Sequence, residues 1–116
     1  MGHYDKDFWH ALDQLIENSK VVIDRPIGAE NPRYPDVIYP VDYGYLDGTS
    51  SMDGGGIEVW LGAKGEKRVD AVICVIDLTK MDSEIKLLLG CTEEEREVIY
   101  RFHNGSERTK GFIINR

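Results

Sequence analysis

Long apolar runs are missing from this chain. No stretch approaches the roughly 20 residues of a membrane span, and nothing at the start reads as a secretory leader, so the cytoplasm is the expected compartment. Positive charge is also in short supply: 14 lysines and arginines stand against 21 acids, a net charge of -7. That deficit excludes a general nucleic-acid surface, which needs a basic stripe, and removes any attraction to anionic membranes. Cysteine is scarce. Cys74 and Cys91 lie in or beside apolar runs without metal-ligand spacing, which predicts two buried free thiols. The three histidines, His3, His10 and His103, offer no zinc set. Ser50 and Ser51 have no base at a recognisable spacing, so no nucleophilic triad is expected. The triplet Gly54-Gly55-Gly56 lacks the lysine and following helix of a phosphate loop.

The 116 residues suit one domain, 1-116, with an apolar fraction of 41% that can fill a core without staples. DFWHALDQLIEN, residues 7–18, has helical spacing, with Phe8, Leu12, Leu15 and Ile16 on one stripe. KVVID reads as a strand ending at Asp24. RPIGAENPRYPD, residues 25–36, holds three prolines and one glycine and reads as a loop. Residues 37–45 can be extended, with Pro40 at a strand start or edge. Residues 47–56 are turn chemistry, 57–61 a strand, 62–67 a hairpin-like turn, 69–78 the strongest strand and 85–89 another. Thr92 and Glu95 form a capping-box pattern that opens a helix stopping near Asn104-Gly105. KGFIINR adds a last short strand.

The connections between the middle strands are too short for parallel crossovers, so a mostly antiparallel sheet is expected. Five short strands and two helices fit a small all-β, OB-like barrel, closed or partly closed, with the helices packed outside. An open antiparallel sheet with both helices on one face is the alternative.

Chemistry concentrates in YPVDYGYLDGTSSMDGGGIE, residues 39–58, and in the strands after it. Asp53 and Glu58 are five residues apart, as are Asp77 and Asp82, all at turns or strand ends. If their strands are neighbours, four carboxylates meet at one rim. Their repulsion is relieved by a hard cation, for which oxygen ligands point to Mg²⁺. The plainer reading is that each Asp accepts hydrogen bonds from its own turn. Tyr43 and Tyr45 share a face in extended backbone, where packing alone accounts for them. Arg25, Arg33, Lys80 and Lys86 could clamp a phosphate, or stand as ordinary solvated cations.

YPVDYGYLDGT, then DGGGIEVW, then VIDLTKMDSEIKLL, together resemble the soluble, Mg²⁺-dependent inorganic pyrophosphatases of the compact barrel type. The match spans roughly residues 20–104 and is dense from 39 to 89. The resemblance places Tyr43 on the family's site tyrosine and Asp53 and Glu58 on the ends of its second motif. Asp77 and Asp82 fall on the later acidic pair, and Asp24 follows the first strand where the family has glutamate. It implies a five-stranded barrel, a homo-oligomer, a cytoplasmic location and a small phosphate substrate. The implied site has Asp53, Glu58, Asp77 and Asp82 as metal ligands, and Asp53, Tyr43, Arg33 and Lys86 as catalytic residues. Arg25, Arg33 and Lys86 would bind phosphate.

Where the family carries aspartate-proline this chain has Gly55-Gly56, so the residue expected to deprotonate water is gone. The hairpin before the first motif is shortened to the proline loop. Glu84 stands near the position of a family lysine, and Tyr100-Arg101 matches a late tyrosine-lysine pair only in character. Two functions follow. One is Mg²⁺-dependent hydrolysis of pyrophosphate or a related phosphoanhydride. The other is a catalytically weak or inactive module that binds a divalent metal or a phosphorylated ligand.

Overall fold

The computed structural model describes residues 2–116, with side chains from Asp5 onward. In chain order the elements are α1 (Gly2–Glu17), β1 (Lys20–Arg25), β2 (Asp42–Asp47), β3 (Ile57–Leu61), β4 (Val69–Asp77), β5 (Asp82–Leu89), α2 (Glu93–Asn104) and β6 (Thr109–Asn115). They build one six-stranded sheet in the order β1-β2-β3-β5-β4-β6. Four of the strand pairs are antiparallel, and β3 pairs with β5 in parallel.

This corrects the barrel expectation. The sheet is open and mixed: β1 and β6 are its two edges and do not pair with each other. The parallel pair arises because β4 itself serves as the crossover. The chain leaves β3, runs out along β4, and returns as β5 between them, so the connection is long enough without a helix. With two edges left, the sheet is clothed by one helix on each face rather than by closure.

The alternation of side chains sorts the core into two layers. On one face, Trp60, Ala71, Ile73, Val75 and Leu88 pack with Tyr39, Tyr43 and α2's Ile99. On the other, Val59, Val69, Val72, Leu87 and Leu89 pack with α1's Trp9 and Ile16. α2 starts as the sequence predicts: Thr92 accepts from the Glu95 amide at 3.2 Å and Glu95 accepts from the Thr92 amide at 2.8 Å. The Glu95 carboxylate also accepts from Ala63 N at 3.0 Å, which ties the helix to the β3–β4 turn. Pro40 lies just ahead of β2, so it costs no ladder bond.

Gly44 explains the tyrosine-glycine-tyrosine motif in packing terms. A Cβ there would stand 1.8 Å from the Val22 carbonyl oxygen, so β1 crosses β2 at a distance only glycine allows. Just beyond, the β1–β2 register slips between Ile23 and Arg25. The slip leaves Asp24 unpaired, re-aiming the strand end as bulges do.

Candidate functional site

A cleft of about 630 Å³ opens between the far end of the β4–β5 hairpin, the proline loop and the α2–β6 junction. Asp24, Arg25, Arg33, Tyr43, Glu58, Asp77, Asp82 and Lys86 all line it. Distant stretches of sequence meet there because β3, β5 and β4 are neighbours in the sheet. Asp53 does not line this cleft. It borders an adjoining hollow of about 380 Å³, which shares Asp24 and Glu58 with the larger one.

The floor is a closed ionic network. Lys86, buried on β5, donates to the Tyr43 hydroxyl at 2.7 Å and to Glu84 Oε2 at 3.1 Å, and also pairs with Glu58 Oε1. Burial pushes the Glu58 carboxyl up, but the Lys86 charge and hydrogen bond outweigh it and hold the group below its usual range. The same contacts keep Lys86 above its ordinary value against the cost of burial. Burial likewise raises the Tyr43 phenol well above its ordinary value, with the Glu58 charge adding to it. Glu84, a residue the sequence reading did not place in the site, is pushed up to about 7, chiefly by burial. Its Oε1 is buried without a hydrogen-bond partner. Lys86 therefore already neutralises two carboxylates and is not an open phosphate clamp.

Two of the other acids, Asp77 and Asp53, are committed to their own turns. Asp77 and Asp82 are directly opposite each other across the β4–β5 hairpin. Asp77 Oδ1 accepts from Thr79 N at 2.9 Å and from Lys80 N at 3.0 Å. Asp53 Oδ1 accepts from Gly55 N at 2.9 Å and from Ser51 Oγ at 2.8 Å, and these bonds bring its carboxyl down to about 2. Among the described residues, no three His, Cys, Asp or Glu stand so as to hold a metal ion. The cluster expected from Asp53, Glu58, Asp77 and Asp82 is not formed among the described residues. Glu58 is occupied by Lys86, while Asp53 and Asp77 fasten turns, which is the plainer of the two readings of an Asp at a turn.

The free positive charge sits on the rim. Arg33, Lys80 and Arg108 line the cleft and form no ion pair with any described residue. Arg25 has Asp24 at 4.0 Å, and Arg101 has Glu97 at 3.5 Å along the helix. The Arg108 guanidinium lies 3.8 Å from the centre of the Tyr34 ring, joining the α2–β6 junction to the proline loop. Nothing in the local sequence of Arg108 marked it, since only the return of β6 beside β4 brings it to the cleft. His103 was equally unmarked. It is buried beneath the floor, where Trp60 Nε1 donates to its Nε2 at 3.2 Å. Burial and the nearby Lys86 charge bring its imidazole down to about 3, so it stays neutral and accepts that bond.

No protein-family model matches the chain, and no curated protein does. A solved structure described as an inorganic phosphatase from Anaplasma phagocytophilum shares the fold. Its TM-score is 0.55 at 15% identity, over 82% of this chain and 81% of that one. At that identity the likeness is one of fold. Membership of the compact-barrel pyrophosphatases, implied by the motifs, is corrected by the open sheet. The motif residues are present, but in a sheet that is not closed into a barrel.

Proposed function

We propose that the chain binds a phosphorylated small molecule in the 630 Å³ cleft and has little or no pyrophosphate turnover. The observation that carries this reading is the distribution of charge. Arg25, Arg33, Lys80, Arg101 and Arg108 line the cleft beside the committed Lys86, in a chain of net charge -7. Of these, Arg33, Lys80 and Arg108 form no ion pair with any described residue, despite the acids beside them. Arginine forks and a lysine point charge are the groups that recognise phosphate oxygens. The solved structure that shares the fold, an inorganic phosphatase, supports the same ligand class.

Weak chemistry follows from the floor. A general base contributes typically 10²–10⁴-fold, and Gly55 supplies none. Tyr43 and Lys86, expected to act on substrate, are fixed to each other and to Glu58. Asp24, Asp36, Asp77 and Asp82 line the same cleft as the arginines, and Asp53 borders only the adjoining hollow. Mg²⁺ belongs to this reading as the ion that a phosphoanhydride carries with it. The residues that stand free to receive it are few, and no reaction step is assigned to it.

The test is calorimetric titration with orthophosphate and pyrophosphate, each with and without Mg²⁺, beside a phosphate-release assay. Binding of pyrophosphate is expected, weakened about tenfold or more in a paired Arg33→Gln, Arg108→Gln variant, a loss near 1.4 kcal/mol. Absence of binding to any of the four preparations would sink the proposal. Efficient release of phosphate would replace it with the hydrolase reading.

A further inference from the structure

The cleft is not simply positive. Carboxylates from three segments line it beside the arginines: Asp24 on β1, Asp36 on the proline loop, and Asp77 and Asp82 at the ends of β4 and β5. With Glu58 and Glu84 they make six acids, as many as the six lysines and arginines of the same lining. Asp36, Asp77 and Asp82 form no ion pair with any described residue. An ionised carboxylate only accepts hydrogen bonds, and the bare oxygens of pyrophosphate only accept them too. Such a ligand has nothing to give these acids and is repelled by them. Among the described residues, no three acids stand so as to hold a metal ion between the two sets.

Three further features ask for an organic ligand that donates hydrogen bonds. The cleft, at about 630 Å³, falls in the range of about 300–1,000 Å³ that encloses an organic molecule. Val37 and Ile38 give its lining an apolar strip, with Ile38 47% exposed, and carbon gains from that contact where phosphate does not. Glu84 also lines the cleft; its side chain is 9% exposed and its Oε1 has no hydrogen-bond partner. A buried acceptor left alone is costly, so it marks a place for a donor.

We infer, resting on the phosphate reading of the cleft, that the ligand is a phosphate ester whose organic body carries hydrogen-bond donors, hydroxyl or ammonium. Its phosphate meets Arg33, Lys80 and Arg108. Its donors bond to Asp36 and Asp82, and its carbon skeleton lies on Val37 and Ile38. The acids then act as a filter that turns away bare polyphosphate, since specificity is also built by repelling the wrong ligand.

Calorimetric titration with pyrophosphate, ethyl phosphate, phosphoethanolamine and ribose 5-phosphate tests this, in EDTA and again in Mg²⁺. Phosphoethanolamine is ethyl phosphate with an added ammonium, and ribose 5-phosphate carries hydroxyls, so the two arms tell which donor is read. At least one of them should bind about tenfold more tightly than ethyl phosphate and pyrophosphate. Asp36→Ala and Asp82→Ala should each weaken that ester about tenfold and leave pyrophosphate unchanged or tighter. A merely structural loss would weaken both ligands together. Pyrophosphate or ethyl phosphate binding as tightly as the better donor-bearing ester would overturn the inference and leave the phosphate reading standing. So would an ester preference that neither folded variant lowers. Failure of all four probes to bind would sink both.

Discussion

The two layers of the core, separated by a single sheet, solve different problems. On the α2 side, Tyr39, Tyr43, Trp60, Phe102 and His103 interlock with ring centroids 4.6–5.9 Å apart. Edge-on and tilted geometries of this kind are favoured over face-to-face stacks. The polar atoms of this lattice are paired: Trp60 with His103, and Tyr39 with Asn31. On the α1 side, Trp9 and Ile16 are buried, yet Phe8 on the same helix is 44% exposed. Rigidity is concentrated on the side that carries the cleft. The cleft borrows its floor from the aromatic lattice, while the α1 layer borders an apolar groove of about 750 Å³.

Four substitutions or titrations put that contrast at risk. Trp60→Ala empties the centre of the lattice and should cost about 3–5 kcal/mol of unfolding free energy, read from the urea midpoint. A loss below 1 kcal/mol would mean that the rings are not mutually supporting. Lys86→Met comes next. It leaves Glu58 and Glu84 without their shared cation, at a cost of about 3 kcal/mol. The cost should shrink when Glu58→Gln and Glu84→Gln are added, and additive losses would argue against one network.

The third test is pH. His103 is near 3 when folded and about 6.5 when unfolded. The unfolded chain therefore binds the extra proton in that window. The stability this group supports is complete above about 6.5 and falls by roughly 1.4 kcal/mol per pH unit below it. Glu84, held up to about 7, acts with the opposite sign, since there the folded chain binds the extra proton. The measurement is thus the difference between the native protein and His103→Gln across pH 7 to 4, about. A flat difference would mean that His103 charges freely in the fold. The smallest effect belongs to the open layer. Met52→Ser, at a position 81% exposed on the groove, should move monomer stability by no more than about 0.5 kcal/mol. A larger shift would place Met52 in the core.

Much of the local structure was legible in sequence. The Thr92–Glu95 box fixes the start of α2, and the nearly continuous apolar run in VDAVICVID gives β4. The five-residue gap between Asp77 and Asp82 is the length of a hairpin turn, and that is what it became. Pairing order was not legible. Nothing within IEVWL says that its neighbour is β5 in parallel rather than β4, because that choice depends on segments remote in the chain. The same blindness produced the barrel, since strand count does not say whether edges meet. In the site, the fold brings most of the expected residues to one cleft, with Asp53 beside it, and pairs some of them with each other. Glu58 and Lys86 were read as ligand and clamp, whereas their proximity makes each the other's partner. Met81 sits at φ 58, where glycine or asparagine is usual, and its side chain gave no warning of it.

The proline loop is hydrogen-bonded to itself along its length. Gly28 N and Tyr39 N bond across its neck to Tyr39 O and Ala29 O, both at 2.9 Å, and Ile27 N is held by Asp42 Oδ1 at 2.8 Å. Farther out, Asn31 N bonds to Val37 O, and Asn31 Oδ1 accepts from Arg33 N and Tyr34 N. A loop laced at neck and tip does not swing. A molecule arriving at this mouth meets Arg33 and Tyr34 already in place, so capture should be a single diffusive encounter. Its speed should follow ionic strength, with no slow gating phase in stopped-flow traces.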